Sequence, residues 1–274
     1  MRTLSFELLP DVGSFTPLQL KPTFILSGAF SGSHRWSRAY GISHQAMIRE
    51  LHTAFVVHVG KVKYLERYVY DDADKVGVTV NRRVLRDGAQ VEVRATFESR
   101  PGHPVAESSL CVVPLSVVEG SAELAALPAP LPDTYLQEFE PSEIFHEPYP
   151  SPFPGVLREI VESGELLGSY EHPFFVHRQQ CEFVDQWFFI ESTVFAAASR
   201  ERMVFEQGAK KPALRRGLSL PMRELDLLYS RPFYLFDQGR AKSRAFRSQE
   251  GVVFVHELVK EGSTDPHALV VERF

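Results

Sequence analysis

Apolar positions recur along this chain with two different periods. Val76, Val78 and Val80 alternate with polar residues, Val91, Val93, Ala95 and Phe97 do the same, and a third apolar-rich run covers Val105 to Val118. A period of two places one set of side chains on a single face, so these segments predict half-buried strands. Asp87-Gly88 between the first two is a hairpin signal. Upstream, Ser43 to about His58 sets Met47, Leu51, Ala54 and Phe55 on one helical face, with Ser43 as N-cap. The order then repeats. Trp187 to Gln207 aligns Ile190, Val194, Ala197, Ala198 and Phe205 on a helix that Gly208 stops. Strands are predicted at Leu225 to Tyr229, Ala241 to Phe246, Val252 to Val259 and His267 to Arg273, with Glu250-Gly251 in the place of Asp87-Gly88.

Helix, strand, turn, strand, turn, strand thus occurs twice, and local sequence supports a duplication. Arg83-Val-Leu-Arg-Asp-Gly88 before Ala-Gln-Val-Glu-Val-Arg parallels Ala245-Phe-Arg-Ser-Gln-Glu-Gly251 before Val-Val-Phe-Val-His-Glu. Between the copies, prolines 128, 130, 132, 141, 148, 150, 152 and 154 remove backbone donors and favour extended conformations. The predicted organisation is a first unit over 1–127, a proline-rich connector running outside both units over 128–154, and a second unit over 155–274.

Composition narrows the class of function. A chain of 274 residues with 44% hydrophobic positions has ample material for a core, and a net charge of -5 does not supply the clustered cations that nucleic acid requires. No uncharged apolar run approaches the roughly 20 residues of a membrane helix. Glu7 and Asp11 interrupt the stretch where a signal peptide would be apolar, which points to a cytoplasmic protein. Cys111 and Cys181 form no disulfide framework, and no His, Cys or carboxylate spacing suggests a metal; no cofactor motif occurs either.

A long helix wrapped by antiparallel strands, twice over, resembles the double hotdog fold of the α+β class. The second half carries the more specific likeness. Gln179-Gln-Cys-Glu-Phe-Val-Asp185, Ala196-Ala-Ala-Ser-Arg200, Phe205-Glu-Gln-Gly208 and Tyr229-Ser-Arg-Pro232 with Asp237 resemble the acyl-CoA thioesterases of the 4-hydroxybenzoyl-CoA type. This resemblance implies hydrolysis of an acyl thioester carried by coenzyme A or an acyl carrier protein. It also implies a pocket between the two units, lined in part by the first helix and the segment Ser31 to Trp36. Because the fold hosts several chemistries, it leaves open a hotdog dehydratase, an acyltransferase or decarboxylase of polyketide biosynthesis, and a non-catalytic acyl-binding protein. A duplicated hotdog already contains the pair of units that single hotdogs obtain by dimerising, so a monomer or a homodimer is expected.

Two segments carry the candidate chemistry. Ser27-Gly-Ala-Phe-Ser-Gly-Ser-His-Arg-Trp36 reads as a polar, glycine-rich approach to the first helix; His34 is its candidate acid or base, and Ser33, Arg35 and Trp36 are candidate substrate contacts. Tyr40 and His44 follow near the helix start, where amide groups can bind an oxyanion. In the second half Asp185 is the candidate carboxylate, with Trp187 a substrate contact and, together with Phe188, a shield against water. Each has a plain structural alternative: an exposed histidine, packing at a helix start, or Asp185 as a helix cap. Asp185 to Ala196 is shorter than the catalytic loop of the thioesterases, and Trp187-Phe-Phe-Ile190 replaces its Gly and Pro, which implies that the second half has lost its own site. The basic run Lys210 to Arg216 can meet phosphates or an acidic carrier protein, or can simply be solvated.

Overall fold

The computed structural model describes the chain except residues 73, 118–125, 152, 183–184 and 250. Val118, Pro152, Phe183, Val184 and Glu250, which enter the readings above, therefore lie outside the described residues.

Among the described residues eleven strands form one antiparallel sheet. The first half contributes β1 (Thr3–Leu8), β2 (Thr53–Tyr64), β3 (Val76–Leu85), β4 (Gln90–Arg100), β5 (His103–Val117) and the short β6 (Ala126–Pro128). The second contributes β7 (Glu165–Phe175), β8 (Glu224–Tyr229), β9 (Gln238–Ser248), β10 (Gly251–Lys260) and β11 (Ala268–Arg273). Their order is β1-β3-β4-β5-β2-β8-β11-β10-β9-β7, with β6 added beside β5. It reads the same from either end once each strand is replaced by its counterpart, so the two halves are pseudo-twofold copies. They join where Val59 to Lys63 of β2 pair with Leu228 to Glu224 of β8.

The central helices are α1 (Pro22–Tyr40) and α5 (Glu191–Gln207). Two shorter helices follow them, α2 (His44–Leu51) after the first and α6 (Pro212–Ser219) after the second. The connector supplies α3 (Asp133–Leu136) and α4 (Phe153–Ser163). α1 packs on β3, β4 and β5, while α5 packs on β7 and β9 and touches α1. One buried cluster runs through both halves, from Ile25, Leu26 and Trp36 to Trp187, Ala196 and Phe254. A smaller cluster on the other side of the sheet, including Cys111, Val253 and Val255, is closed by Phe153.

All seven predicted strands form. The helix expected from Ser43 to His58 does not. Ser43 does cap a helix, its Oγ accepting the Ala46 N–H, but that helix ends at Leu51, where His52 turns left-handed at φ 46°. Residues 53–64 are strand instead, with Val57 and Val62 buried in the core on the helix side of the sheet and Val59 buried in the smaller cluster on the other side. The expected glycine-rich approach is also corrected: residues 27–36 lie within α1. Its glycines serve close packing. A Cβ on Gly28 would lie 2.8 Å from the Phe97 ring, and one on Gly32 would lie 2.5 Å from Val80 Cγ2. Pro22 at the first helical position starts this helix.

The proline-rich segment is neither wholly extended nor wholly outside. Pro132 caps α3, and Pro141 opens a 3-10 turn. Leu131, Tyr135 and Phe139 are buried against the first half. Arg2 anchors the segment through Glu143, donating from its backbone at 2.7 Å and from Nη2 at 2.6 Å.

Candidate functional site

A cavity of about 360 Å³ opens between the halves. Its walls are the middle of α1 (Phe30, His34), the start of α2 (His44, Ile48) and the β2 residues Ala54 to Val56. The turn before α5 closes it with Cys181, Glu182, Gln186 and Phe188. Phe30 meets Phe188 and Phe189 edge-on at 5.6 Å, which fixes the two halves across the site.

His34 and His44 face each other with ring centroids 3.8 Å apart. Both Nε2 atoms are buried and have no hydrogen-bond partner among the described residues. Burial pushes the His34 imidazole down to about 4, and the nearby positive charges of Arg82 and Arg38 act in the same direction. His44 is lowered further for the same reasons, with His34 adding to the effect. Both rings are therefore neutral at pH 7, able to donate one N–H and to accept at the other nitrogen.

Glu182 supplies the carboxyl group. Burial alone raises it to about 7, with no cation to oppose the shift. It sits in a tight turn closed by Glu182 N–H to Gln186 O at 2.7 Å and Asp185 N–H to Glu182 O at 3.1 Å. In the same turn Asp185 is left-handed at φ 55°. Its carboxylate points to solvent and pairs with Arg178 at 2.8 Å, and its carbonyl accepts the Leu235 N–H. Asp185 thus lies outside the cavity wall, and the aromatic shield expected for it is turned elsewhere: Trp187 is buried among Phe174, Phe195 and Phe233.

Of the other candidates, Tyr40 donates to Thr3 O at 2.8 Å and packs beside Trp36, away from the cavity. Ser33 is buried in α1, and the Arg35 guanidinium covers the Phe6 ring on the outer side. Trp36 is a core residue whose Nε1 donates to Arg2 O. Trp187 reaches only a narrow extension of about 20 Å³. The structure therefore brings His34 and His44 together in one cavity and places Tyr40, Asp185, Ser33, Arg35 and Trp36 elsewhere.

Sequence reasoning passed over Arg82 and Glu182. Arg82 is 1% exposed. Its Nη1 donates to Ser37 Oγ and to the Tyr135 hydroxyl, and its guanidinium lies over Trp36, Phe55, Tyr135 and Phe139. It takes no carboxylate partner among the described residues. A signal existed: Arg82 continues the inward alternation of Val76, Val78 and Val80, a charge on an apolar stripe. Glu182 lay inside the motif that drew attention to Asp185, with no pattern to separate the two carboxyl groups.

Elsewhere a buried chain runs from Ser199 through Ser243 and His256 to Glu272 and Arg200. Ser199 Oγ and Ser243 Oγ are 2.6 Å apart, and Ser243 Oγ lies 2.6 Å from His256 Nδ1. His256 Nε2 is 3.2 Å from Glu272, whose other oxygen is 2.5 Å from Arg200 Nη1. Although a serine, a histidine and a glutamate adjoin here, Ser243 and His256 line none of the described cavities. The Arg200 charge and the His256 contact hold Glu272 down at about 2 despite its burial.

No protein-family model matches the chain, and no curated protein matches it. Solved structures do. A putative oleoyl thioesterase from Lactobacillus plantarum superposes with a TM-score of 0.74 at 12% identity, covering 99% of this chain and 95% of its own. An acyl-ACP thioesterase from Bacteroides thetaiotaomicron gives 0.69 at 11% identity, covering 99% and 97%. The 12:0-ACP thioesterase from Umbellularia californica gives 0.68 at 8% identity, covering 99% and 96%. These superpositions, each covering 99% of this chain, show the double hotdog fold.

Proposed function

We propose that the protein is an acyl thioesterase acting on an acyl group carried by coenzyme A or an acyl carrier protein, with its site between a first unit over 1–127 and a second over 155–274. The observation that carries this reading is the cavity itself, where two neutral imidazoles with free Nε2 atoms and a carboxyl group raised to about 7 converge in an apolar setting between the halves. The three solved thioesterases share the fold over 95–97% of their lengths and add support.

In this reading the thioester carbonyl sits beside the two histidines. Ionised Glu182 takes a proton from water as the oxygen attacks the carbonyl carbon. A neutral imidazole donates its N–H to the carbonyl oxygen, which gains charge in the transition state. As the C–S bond breaks, the proton on Glu182 passes to the departing sulfur, giving a carboxylic acid and a thiol. Burial, with the Arg82 charge acting in the same direction, keeps the histidines uncharged, so a ring does not form an ion pair that would quench Glu182. Phe30, Phe55, Ile48 and Phe188 supply the apolar wall for the acyl group.

The test is hydrolysis of a panel of acyl-CoA and acyl-carrier thioesters of varied chain length, followed by thiol release. Turnover of at least one member that drops about a hundredfold or more in both His34→Ala and Glu182→Gln supports the assignment. Binding of such thioesters without turnover would instead favour a non-catalytic acyl-binding protein.

A further inference from the structure

The histidine cavity continues into a second, much smaller space. That extension encloses about 20 Å³, room for about one water molecule and not for a chain of methylenes. Phe30, Phe55, Val56, Glu182, Gln186 and Phe188 line both spaces and so frame the throat between them. The residues that line only the extension, Val57, Trp187, Phe189 and Tyr229, are at most 5% exposed, so it is the inner end. Leu115 and Cys181 line only the cavity and are half-buried, which marks its outer side.

Three rings close the throat from the side of the second half. Phe30–Phe188, Phe30–Phe189 and Phe188–Phe189 all meet edge to face, with centroids 5.6, 5.6 and 5.0 Å apart, the spacing of rings in contact. The backbone beneath Phe188 is held on both sides. Its N–H donates to Gln180 O at 2.9 Å, and its carbonyl accepts the Glu191 N–H at 2.9 Å. The other throat rings have further partners: Phe30 packs on His34 at 4.7 Å, and Phe55 lies 5.1 Å from His44 and under the Arg82 guanidinium. Phe189 belongs to the core. The aromatic contacts of Phe188 are with Phe30 and Phe189, so its ring shapes the throat without supporting a titratable group.

We propose that the Phe188 ring ends the acyl chain and selects short acyl groups against long ones. The inference rests on the thioesterase reading, which sets the thioester carbonyl beside His34, His44 and Glu182, with the thiol departing by the outer side. The chain then runs inward along Phe30 and Phe55 and stops at Phe188. One methylene too many in an apolar pocket is worth roughly 10–200-fold in kcat/KM, so a single ring is enough for a sharp limit. Truncating Phe188 joins the freed volume to both spaces, because its side chain stands between them, and removes no acid, base or hydrogen-bond donor.

The experiment compares hydrolysis of hexanoyl-CoA and palmitoyl-CoA by the parent, Phe188→Ala, Phe188→Leu and Ile48→Ala. Calorimetry on the same samples measures binding of S-hexyl- and S-hexadecyl-CoA, thioethers that cannot be hydrolysed, and circular dichroism confirms that each variant is folded. The parent is expected to prefer the six-carbon group at least tenfold. Phe188→Ala lowers that preference at least tenfold, and Phe188→Leu moves it the same way by less. Ile48→Ala enlarges the cavity away from the throat and changes the preference by less than about threefold. An unchanged preference in both Phe188 variants overturns the proposal, as does a parent that favours the sixteen-carbon group. An equal shift in Ile48→Ala also overturns it, because total volume would then set the limit. If no thioester is consumed, the hydrolytic reading fails by itself and the same comparisons are read from the thioether affinities; failure of both thioethers to bind overturns the chain limit as well.

Discussion

The cavity beside α1 and the cleft beside α5 that Arg200 and Glu272 line share one architecture and differ in how their titratable groups are partnered. Beside α1, His34, His44 and Glu182 are gathered in an apolar space, the two Nε2 atoms without a hydrogen bond among the described residues and the Glu182 carboxyl raised by burial. Beside α5, Glu272 is matched by Arg200 and by His256, which is held in turn by Ser243. The same walls thus produce a carboxyl group at about 7 in one place and at about 2 in the other. Burial raises both; a buried guanidinium reverses the sign for Glu272. In the proposed reading, residues of the same type serve acid–base chemistry where they are unpaired and hold the fold together where they are paired.

The largest expected effect tests the reactive side. Glu182→Gln lowers thioester turnover by about 10²–10⁴-fold, whereas Asp185→Asn stays within about twofold of the parent. The reverse result would return the catalytic carboxylate to the exposed, ion-paired residue. In the parent, kcat/KM rises with pH through a single step near 7 as Glu182 ionises, and the histidines add no step above about 4.

The paired side predicts a comparable loss of stability. Glu272→Ala strands the Arg200 guanidinium and removes the His256 contact, so urea unfolding shows a loss of about 3–5 kcal/mol. Acid sharpens the contrast. Because Glu272 is depressed in the folded state, its stabilisation is present above pH 4.5 and fades as pH falls toward about 2. His34 acts earlier: unfolded chains take up its proton below about 6.5 and folded ones only near 4, so stability drops across that window as well.

Smaller effects follow from the same partnership rule. Glu182 resists ionisation until about 7 when folded but ionises from 4.5 when unfolded, so stability is lost as pH rises through that interval. Glu182→Gln is therefore expected to be more stable than the parent at pH 8 by about 1 kcal/mol or more, with less gain at pH 4.5. Gly32→Ala probes the helix–sheet contact that sets the reactive cavity: its methyl group meets Val80 and costs about 1–3 kcal/mol in thermal or urea unfolding.

Alternating apolar residues in β3, β4, β5, β9 and β10 determined those strands, and Asp87-Gly88 determined their turn, because a half-buried strand and a left-handed turn each impose a local pattern. Repetition of that pattern was enough to indicate duplication. The identity of the first central helix was not local. Ser27-Gly28 and Ser31-Gly32 read as a flexible approach until Phe97, Val80 and Phe6 press against them, and that contact exists only once the sheet has wrapped around α1. Thr53 to Tyr64, joined in sequence to a short amphipathic helix, is held as strand by β5 and β8 on either side. Of the cavity residues, His34 and His44 were visible as chemistry, whereas Arg82 was passed over although it breaks the apolar stripe of β3. Only tertiary structure decided between Glu182 and Asp185, three residues apart. A left-handed turn sends Asp185 to Arg178 in solvent and leaves Glu182 against the cavity, and a pKa is set by the water and charges that folding brings near.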